Sequence, residues 1–276
     1  MTMIASRINT LLLLLLVLMA GAIITMLATR AYGGPLDPTG PPTSTDGVRG
    51  AGTPISSLPF AITVPGYYYV TRPLTGLAGQ AGITISTSNV TLDLGGFTLG
   101  GGSTPGDGIS VGALRNINIR NGAVRGWSNG IAALACGNCR VDHVQASSNT
   151  VDGIDIGPGS EITDCNASLN GLYGIYVDHA AVRRCTATEN TIVGIDVKSN
   201  SVVDGNRLNG NPSYGIYGNG DNNTIRNNDA TGNGLVDISV FGGTGNVVMG
   251  NTYCLLGDGG TNTILTGNVD RVGGSC

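Results

Sequence analysis

Charge is scarce in this chain. Only 12% of its 276 residues are Asp, Glu, Lys or Arg, and Lys198 is the single lysine. That scarcity excludes coiled coils and helical bundles, which need Ala, Glu, Lys and Leu in quantity at helical spacing. It also excludes an intrinsically disordered chain, which would be more charged and poorer in Val, Ile and Leu. The net charge of −4 leaves no basic face, so no nucleic-acid partner is expected. Aromatic residues make up 5%, with one tryptophan, Trp127. Although 46 residues are glycine, they follow no every-third period, which rules out collagen. What is present is a turn-dense mixture: those glycines, 25 asparagines, and short β-branched runs between them.

The N-terminus differs from the rest. Residues 11–28 carry no charge and follow Arg7. This length is long for a signal-peptide core and just sufficient to span a bilayer as a helix. Residues 1–31 therefore read as a signal peptide or a membrane anchor. Residues 32–57 form a Pro/Gly-rich linker with no means of burying a core. Either reading sends residues 58–276 out of the cytoplasm, secreted or at the cell surface, with residues 11–28 as the candidate tether.

A repeat of about twenty residues organises the remainder. Gly-Ile recurs at Gly108, Gly130, Gly153, Gly174, Gly194 and Gly215, and Asp237-Ile238 continues the series, with spacings of 22, 23, 21, 20, 21 and 22. Four residues before each start from Gly153 on stands Asn149, Asn170, Asn190, Asn211 or Asn233. Twelve before stands Val141, Ile162, Val182, Val203 or Ile225, and nine before stands Val144, Cys165, Cys185, Asn206 or Asn228. No run is long enough for a helix. The period suits a coil of three short strands and three turns, stacked about 4.8 Å from the next coil. Asparagine in a stacked column passes side-chain hydrogen bonds from coil to coil, and it tolerates the left-handed backbone of a tight corner.

Residues 59–76 (PFAITVPGYYYVTRPLTG), 89–101 (NVTLDLGGFTLGG) and 117–127 (INIRNGAVRGW) resemble those of right-handed parallel β-helix repeat proteins of the pectin-lyase-like superfamily, in particular exported bacterial proteins of unassigned activity. The resemblance covers about residues 58–270. It implies an all-β solenoid of about nine coils behind an N-terminal hydrophobic helix, with an N-terminal cap at 58–80 and an irregular C-terminal cap at 240–276. Val248 and Ile264, only 16 residues apart, mark the fraying register. The fold hosts lyases, hydrolases, epimerases, adhesins and inert coils, so it does not fix an activity.

Six cysteines in an exported chain permit disulfides. Cys254 and Cys276 flank the last coil, where a bridge would pin the C-terminus. Cys136 and Cys139 read as a small structural disulfide or two free thiols. Cys165 and Cys185 share a column in adjacent coils and read as stacked buried thiols, with a bridge between them also allowed by the spacing.

In each Gly-Ile-x-Val strand the residue x points outward. This series runs Ser110, Ala132, Asp155, Tyr176, Asp196, Tyr217 and Ser239, and Asp178 and Lys198 fall on the same face, with His179 at its margin. Tyrosine rings beside carboxylates offer a sugar an apolar platform and hydrogen-bond acceptors. Tyr176, Tyr217, Asp155 and Asp196 are therefore the candidate substrate-binding residues, and Asp155, Asp178, Asp196 and Lys198 the candidate catalytic ones. Asp155 and Asp178 lie roughly 8 Å apart at Cα, a separation open to an inverting hydrolase. A lyase would require Ca²⁺; otherwise no cofactor or metal is expected. The resemblance implies family motifs for pectate lyases and polygalacturonases, and this sequence lacks them: no Asp-Asp pair, no Asn-Thr-Asp, no Gly-His-Gly and no Arg-Ile-Lys.

Other residues read as structural. One of Arg183 and Arg184 is expected to pair with an acid such as Asp164 or Asp204. Residues 218–223 read as a turn around Asp221. Trp127 reads as a sugar platform or a partly buried cap. The sequence thus points to a carbohydrate-facing binding or structural module. A polysaccharide lyase or glycoside hydrolase acting on acidic glycans is one alternative, and an adhesin-like protein with no sugar ligand is another.

Overall fold

The computed structural model describes residues 52–102 and 106–271, and every regular element within them is a β-strand. The leader 1–31 with its expected helix, most of the linker, and Cys276 lie outside the described residues. Each repeat makes one coil of three strands. Strands pair in parallel with their counterparts one coil away, so Ile131–Ala133 pairs with Ile154–Ile156, then Tyr173–Val177, then Val193–Val197. Ten such strands, from Phe60–Ile62 to Leu256–Thr261, form a front sheet. The other two strands of each coil, such as Glu161–Thr163 and Asn166–Ser168, join a bent back sheet of nineteen strands. The chain is a right-handed parallel β-helix.

The interior file is set by Ile154, Ile175, Ile195 and Ile216, which are register partners and fully buried. The glycine before each isoleucine has a steric cause. A Cβ on Gly174 would stand 2.6 Å from the Asn190 side-chain nitrogen and 2.6 Å from the Gly194 carbonyl oxygen.

The corners explain the asparagines. Each coil turns where one residue takes the left-handed conformation, at φ between 52° and 59° for residues such as Asn138, His179 and Asn200 at one corner, Asp164, Arg184 and Asn227 at the second, and Ser148, Leu169 and Glu189 at the third. Asparagine and aspartate enter this region most readily. At most corners from Ser148 onward the next residue points inward and accepts the backbone N–H of its counterpart in the coil before; after His179 that place is taken by Ala180, which cannot accept. One ladder runs from Asn149 through Asn170, Asn190, Asn211 and Asn233 to Asp237, with N–H to side-chain oxygen distances of 3.0 to 3.2 Å. A second runs Asn206, Asn228, Asn251, Asn268. Cys165 and Cys185 extend that ladder with thiols: the Val144 N–H meets Cys165 Sγ, and the Cys165 N–H meets Cys185 Sγ, both at 3.4 Å. Both cysteines are free and buried. A third ladder links Ser201, Asn223 and Asn246.

Three expectations are corrected. Trp127 is no sugar platform: it is completely buried, donates its indole N–H to Leu99 O at 3.0 Å, and fills space left by Gly76, Gly82 and Gly108. The coil begins before residue 58, because Thr53–Ile55 already pairs with Tyr68–Val70 and Ile55 is fully buried. Ile264 pairs with Val247, so Leu265 rather than Ile264 takes the place under Val248.

Asn190 sits mid-ladder, accepting from the backbone and side chain of Asn170 and donating to Ala167 O and Asn211 Oδ1. Asn190→Ala strands several of these buried groups and is expected to cost about 3 kcal/mol, since each unsatisfied one costs roughly 1–3. The exposed Asn219→Ala should stay within about 0.5 kcal/mol. Urea unfolding of both variants measures the difference.

Candidate functional site

The outer face of the front sheet carries two columns side by side. Successive coils supply Asp152 and Asp155, Tyr173 and Tyr176, Val193 and Asp196, Tyr214 and Tyr217, then Val236 and Ser239. The column of Tyr176 and Asp196 was expected from strict alternation, whereas that of Asp152, Tyr173 and Tyr214 was missed. Alternation fails because Gly174 and Ile175 are buried in succession, giving the strand Tyr173–Val177 an i-B-B-i-B burial order. The repeated Tyr-Gly-Ile-Tyr at 173–176 and 214–217 was the available signal.

The columns meet as ring pairs. Tyr173 and Tyr176 stack with centroids 6.2 Å apart and planes at 22°, while Tyr214 and Tyr217 lie 4.9 Å apart at 31°. Asp196 is the register partner of both Tyr176 and Tyr217 and is only 3% exposed. Its Oδ1 lies 3.1 Å from Lys198 Nζ, and that ammonium sits 5.4 Å from the Tyr176 ring centre. Asp155 is the register partner of Tyr176 on the opposite side. Two carboxyls thus flank Tyr176, about 9.6 Å apart at Cα. At the margin, His179 Nδ1 is 2.7 Å from Asp178 Oδ1 and Asn200 donates to Nε2 at 3.1 Å, which puts the ring proton on Nδ1 towards Asp178.

Burial dominates the electrostatics. It pushes the Asp155 carboxyl up, and the neighbouring charges of Asp152 and Asp107 add to it, to about 8. Burial raises Asp152 as well, against the backbone N–H of Tyr173, which binds its Oδ1 at 2.9 Å. The pair therefore keeps a proton at neutral pH. Asp196 is raised by burial and pulled back by Lys198. Burial and the charge of Asp196 raise the phenols of Tyr173 and Tyr176, which stay protonated donors.

Many charges of the back sheet are paired with one another, although Arg125 and Arg207 make no ion pair among the described residues. Arg120 pairs with Asp93 at 3.0 Å, Arg183 with Glu161 at 3.1 Å and Asp204 at 3.3 Å, and Arg226 with Asp204 at 2.9 Å. Arg184 grips Asp164 through two bonds of 2.8 and 2.9 Å, which hold that carboxyl below its usual range. Asp221 accepts the Thr244 N–H at 2.8 Å and the Thr244 hydroxyl at 3.1 Å, so it serves its turn. Cys136 and Cys139 are joined and buried at a corner, beside a cleft of about 470 Å³ lined by Arg115, Asn138 and Pro158.

A raised Asp155 has a sign in stability. In the unfolded chain the carboxyl titrates near 3.8, so folding binds a proton between there and about 8. Its stabilising contribution is complete below the lower value and is lost as pH rises through the upper one. Asp155→Asn should therefore gain on the wild type in Tm as pH climbs across that window. Parallel melting curves test it, and a constant difference would exclude the raised carboxyl.

The sequence matches the family described as "Periplasmic copper-binding protein (NosD)" over residues 81–255. No curated protein matches. Among solved structures it resembles the A-module of the Azotobacter vinelandii mannuronan C-5 epimerase AlgE6 (19% identity, TM-score 0.62, 77% of this chain and 70% of that one). It also resembles pectate lyase Pel9A (17%, 0.58, 83% and 69%). The Dettilon tailspike protein gp208 is similar too (13%, 0.63, 80% and 55%), so the chain spans about half of that protein. At these identities the likeness concerns the fold. Copper, named in the family description, does not fit the donors seen here. Copper(II) favours several imidazoles and copper(I) thiolates, and the whole chain has two histidines. Asp142, His143 and Asp164 bring ligand atoms within 4.8 Å of one another, but Arg184 occupies Asp164, and Thr163 and His143 occupy Asp142. Cys165 is buried, and its hydrogen bond with Cys185 together with burial pushes the thiol up, away from thiolate. The family match spans well over half of the sequence, and the chain belongs to the NosD family.

Proposed function

We propose that this protein is an extracytoplasmic β-helix whose front face holds a glycan against two tyrosine pairs. The observation that carries this reading is the alternation of ring pair, carboxylate, ring pair over three successive coils, Tyr173/Tyr176, Asp196, Tyr214/Tyr217. Half-buried rings on a flat parallel sheet stack on the apolar face of a pyranose, and the carboxyls between them accept its hydroxyl protons. Along the back sheet, by contrast, several arginines and acids satisfy one another. Two of the structures the fold resembles are named for polysaccharide chemistry, a mannuronan epimerase and a pectate lyase. The family description as periplasmic supports a location outside the cytoplasm, with residues 11–28 as export signal or tether.

A second reading, a polysaccharide-active enzyme, is favoured by one arrangement: Asp155 and Asp196 flank Tyr176 in successive coils, and burial with the neighbouring charges of Asp152 and Asp107 holds the Asp155 carboxyl well above its usual range, in the direction a general acid needs. Asp196 on the other side of Tyr176 is then the partner base, with Lys198 steadying its charge.

Tyr176→Ala with Tyr217→Ala should abolish retention on a polysaccharide matrix while leaving the coil folded. Affinity electrophoresis against a panel of polysaccharides, with circular dichroism as the folding control, measures this. Retention that survives the double change reduces the face to a solvated surface. Incubating the wild type and Asp155→Asn with the retained polysaccharide, with and without Ca²⁺, separates binding from cleavage. New reducing ends or unsaturated uronate absorbance, lost in Asp155→Asn, support the enzyme.

A further inference from the structure

The two ring pairs of the front face are spaced by the fold itself. Tyr176 and Tyr217 are both register partners of Asp196, so one coil separates them and their Cα atoms stand about 9.6 Å apart along the solenoid axis. Tyr173 and Tyr214 repeat that interval across Val193. Within a pair the rings are neighbours along the strand, with centroids 6.2 Å apart in one pair and 4.9 Å in the other. The surface is therefore an aromatic ladder whose rungs cross the axis and recur at the second coil. The coil between them is recessed, with Val193 2% and Asp196 3% exposed. Lys198 Nζ stands beside it, 3.1 Å from Asp196 Oδ1 and 5.4 Å from the Tyr176 ring centre. Beyond the rings the same column carries short side chains, Ser239 and Gly257 one way, Asp155, Ala132 and Ser110 the other. A polymer laid along the axis over the rings meets no large side chain in that column.

We infer that the front face takes an uncharged β-1,4-linked glycan laid along the solenoid axis, one sugar to each coil, with alternate sugars on the two ring pairs. This rests on the glycan reading above and names its substrate class. When both glycosidic bonds of a pyranose are equatorial, the chain is a flat ribbon in which successive sugars turn over by half a turn. Alternate sugars then present the same face, and each sugar advances by close to the coil spacing of about 4.8 Å. The first and third sugars reach Tyr173/Tyr176 and Tyr214/Tyr217. The second lies over the coil of Asp196, where the Lys198 ammonium has N–H groups to spare for a sugar hydroxyl.

Other arrangements use this surface less completely. A linkage with an axial bond, as in α-1,4-glucans, coils the polymer, so its alternate sugars do not return to one flat face. A glycan laid along the strand touches one ring pair and leaves the other without a role. A polyuronate brings carboxylates to a face that already holds Asp155, Asp178 and Asp196 around the rings, against one lysine, Lys198, that already lies on Asp196.

The test is calorimetric titration of the full chain with β-1,4-linked glucose oligomers of two, three and four sugars, the matching N-acetylglucosamine oligomers, the α-1,4-linked glucose trimer and tetramer, and tetragalacturonate. The trimer is the shortest ligand that reaches both ring pairs. The expected result is therefore a step: in a β-1,4 series the trimer binds about tenfold more tightly than the dimer, the tetramer adds little, and the α-linked oligomers and tetragalacturonate are weaker than the trimer by about tenfold or more. A step in either β-1,4 series supports the inference, and the series that shows it tells whether C2 carries a hydroxyl or an acetamido group. Tyr214→Ala with Tyr217→Ala should remove the step, leaving the trimer no better than the dimer on the remaining pair. Because the comparison of ligands uses the unmodified protein, a variant that fails to fold does not blunt it. A rise spread evenly over every added sugar, equal binding of the α-linked oligomers, tightest binding of tetragalacturonate, or a step that survives the double change in a folded variant overturns the inference and leaves the glycan reading standing. If no oligomer binds although a polysaccharide of the panel above is retained, the inference falls alone. If nothing in that panel is retained either, the glycan reading falls with it.

Discussion

The interaction on which this structure depends is the inward side-chain acceptor that follows most left-handed corners from Ser148 onward. A tight corner cannot continue the strand ladder, so its N–H is left facing a narrow apolar interior. Leaving such a group unpaired costs more than most single packing contacts supply. Asn190 and its neighbours solve this one coil at a time, and each asparagine also donates to a carbonyl of the preceding coil, as Asn190 does to Ala167 O. The thiols of Cys165 and Cys185 stand at ladder positions and accept N–H groups more weakly, at 3.4 Å. The second ladder therefore grades from sulfur to amide along the solenoid.

From that constraint the front face follows. The ladders lock each coil in register with the next, and register is what lines up side chains from distant parts of the sequence. Asp155, Tyr176, Asp196 and Tyr217 become neighbours because Ile154, Ile175, Ile195 and Ile216 stack in one file beneath them. The glycine before each isoleucine makes room for the amide ladder, and it also brings Tyr173 alongside Tyr176 and Tyr214 alongside Tyr217. One packing requirement in the interior thereby sets the width of the aromatic pairs outside.

The fold was legible in the sequence because it is periodic: Asn149 to Asn233, Val141 to Ile225 and the Gly-Ile series each mark a column. Half of the candidate site was legible for the same reason, since Tyr176 and Asp196 fall on an outward position by alternation. The other half was hidden. Two successive buried residues, Gly174 and Ile175, break the alternation, and a reading based on period two assigns Tyr173 to the wrong face. The burial of Asp196 was hidden too, because it depends on the tyrosine pairs one coil above and one coil below. Trp127 misled because its surroundings are glycines from three other segments, Gly76, Gly82 and Gly108, and a linear reading cannot see them converge.

The division of charge between the two sheets gives the front face its character. Along the back sheet, register partners run Asp93, Arg120, Asp142, then, after Thr163, Arg183, Asp204, Arg226, so opposite charges meet across coils and neutralise one another. Surface pairs of this kind add little individually, but they hold their arginines in place. The front sheet has no such alternation. Its acids gather beside rings, where burial and neighbouring charges push the Asp155 carboxyl up and the Lys198 ammonium lies against Asp196. The guanidinium groups of Arg183, Arg184 and Arg226 are bound to carboxylates of their own surface. The fold is shared with proteins named for mannuronan and pectate, and within it this chain sets its front face apart from its back by placing acids beside tyrosine rings rather than opposite arginines.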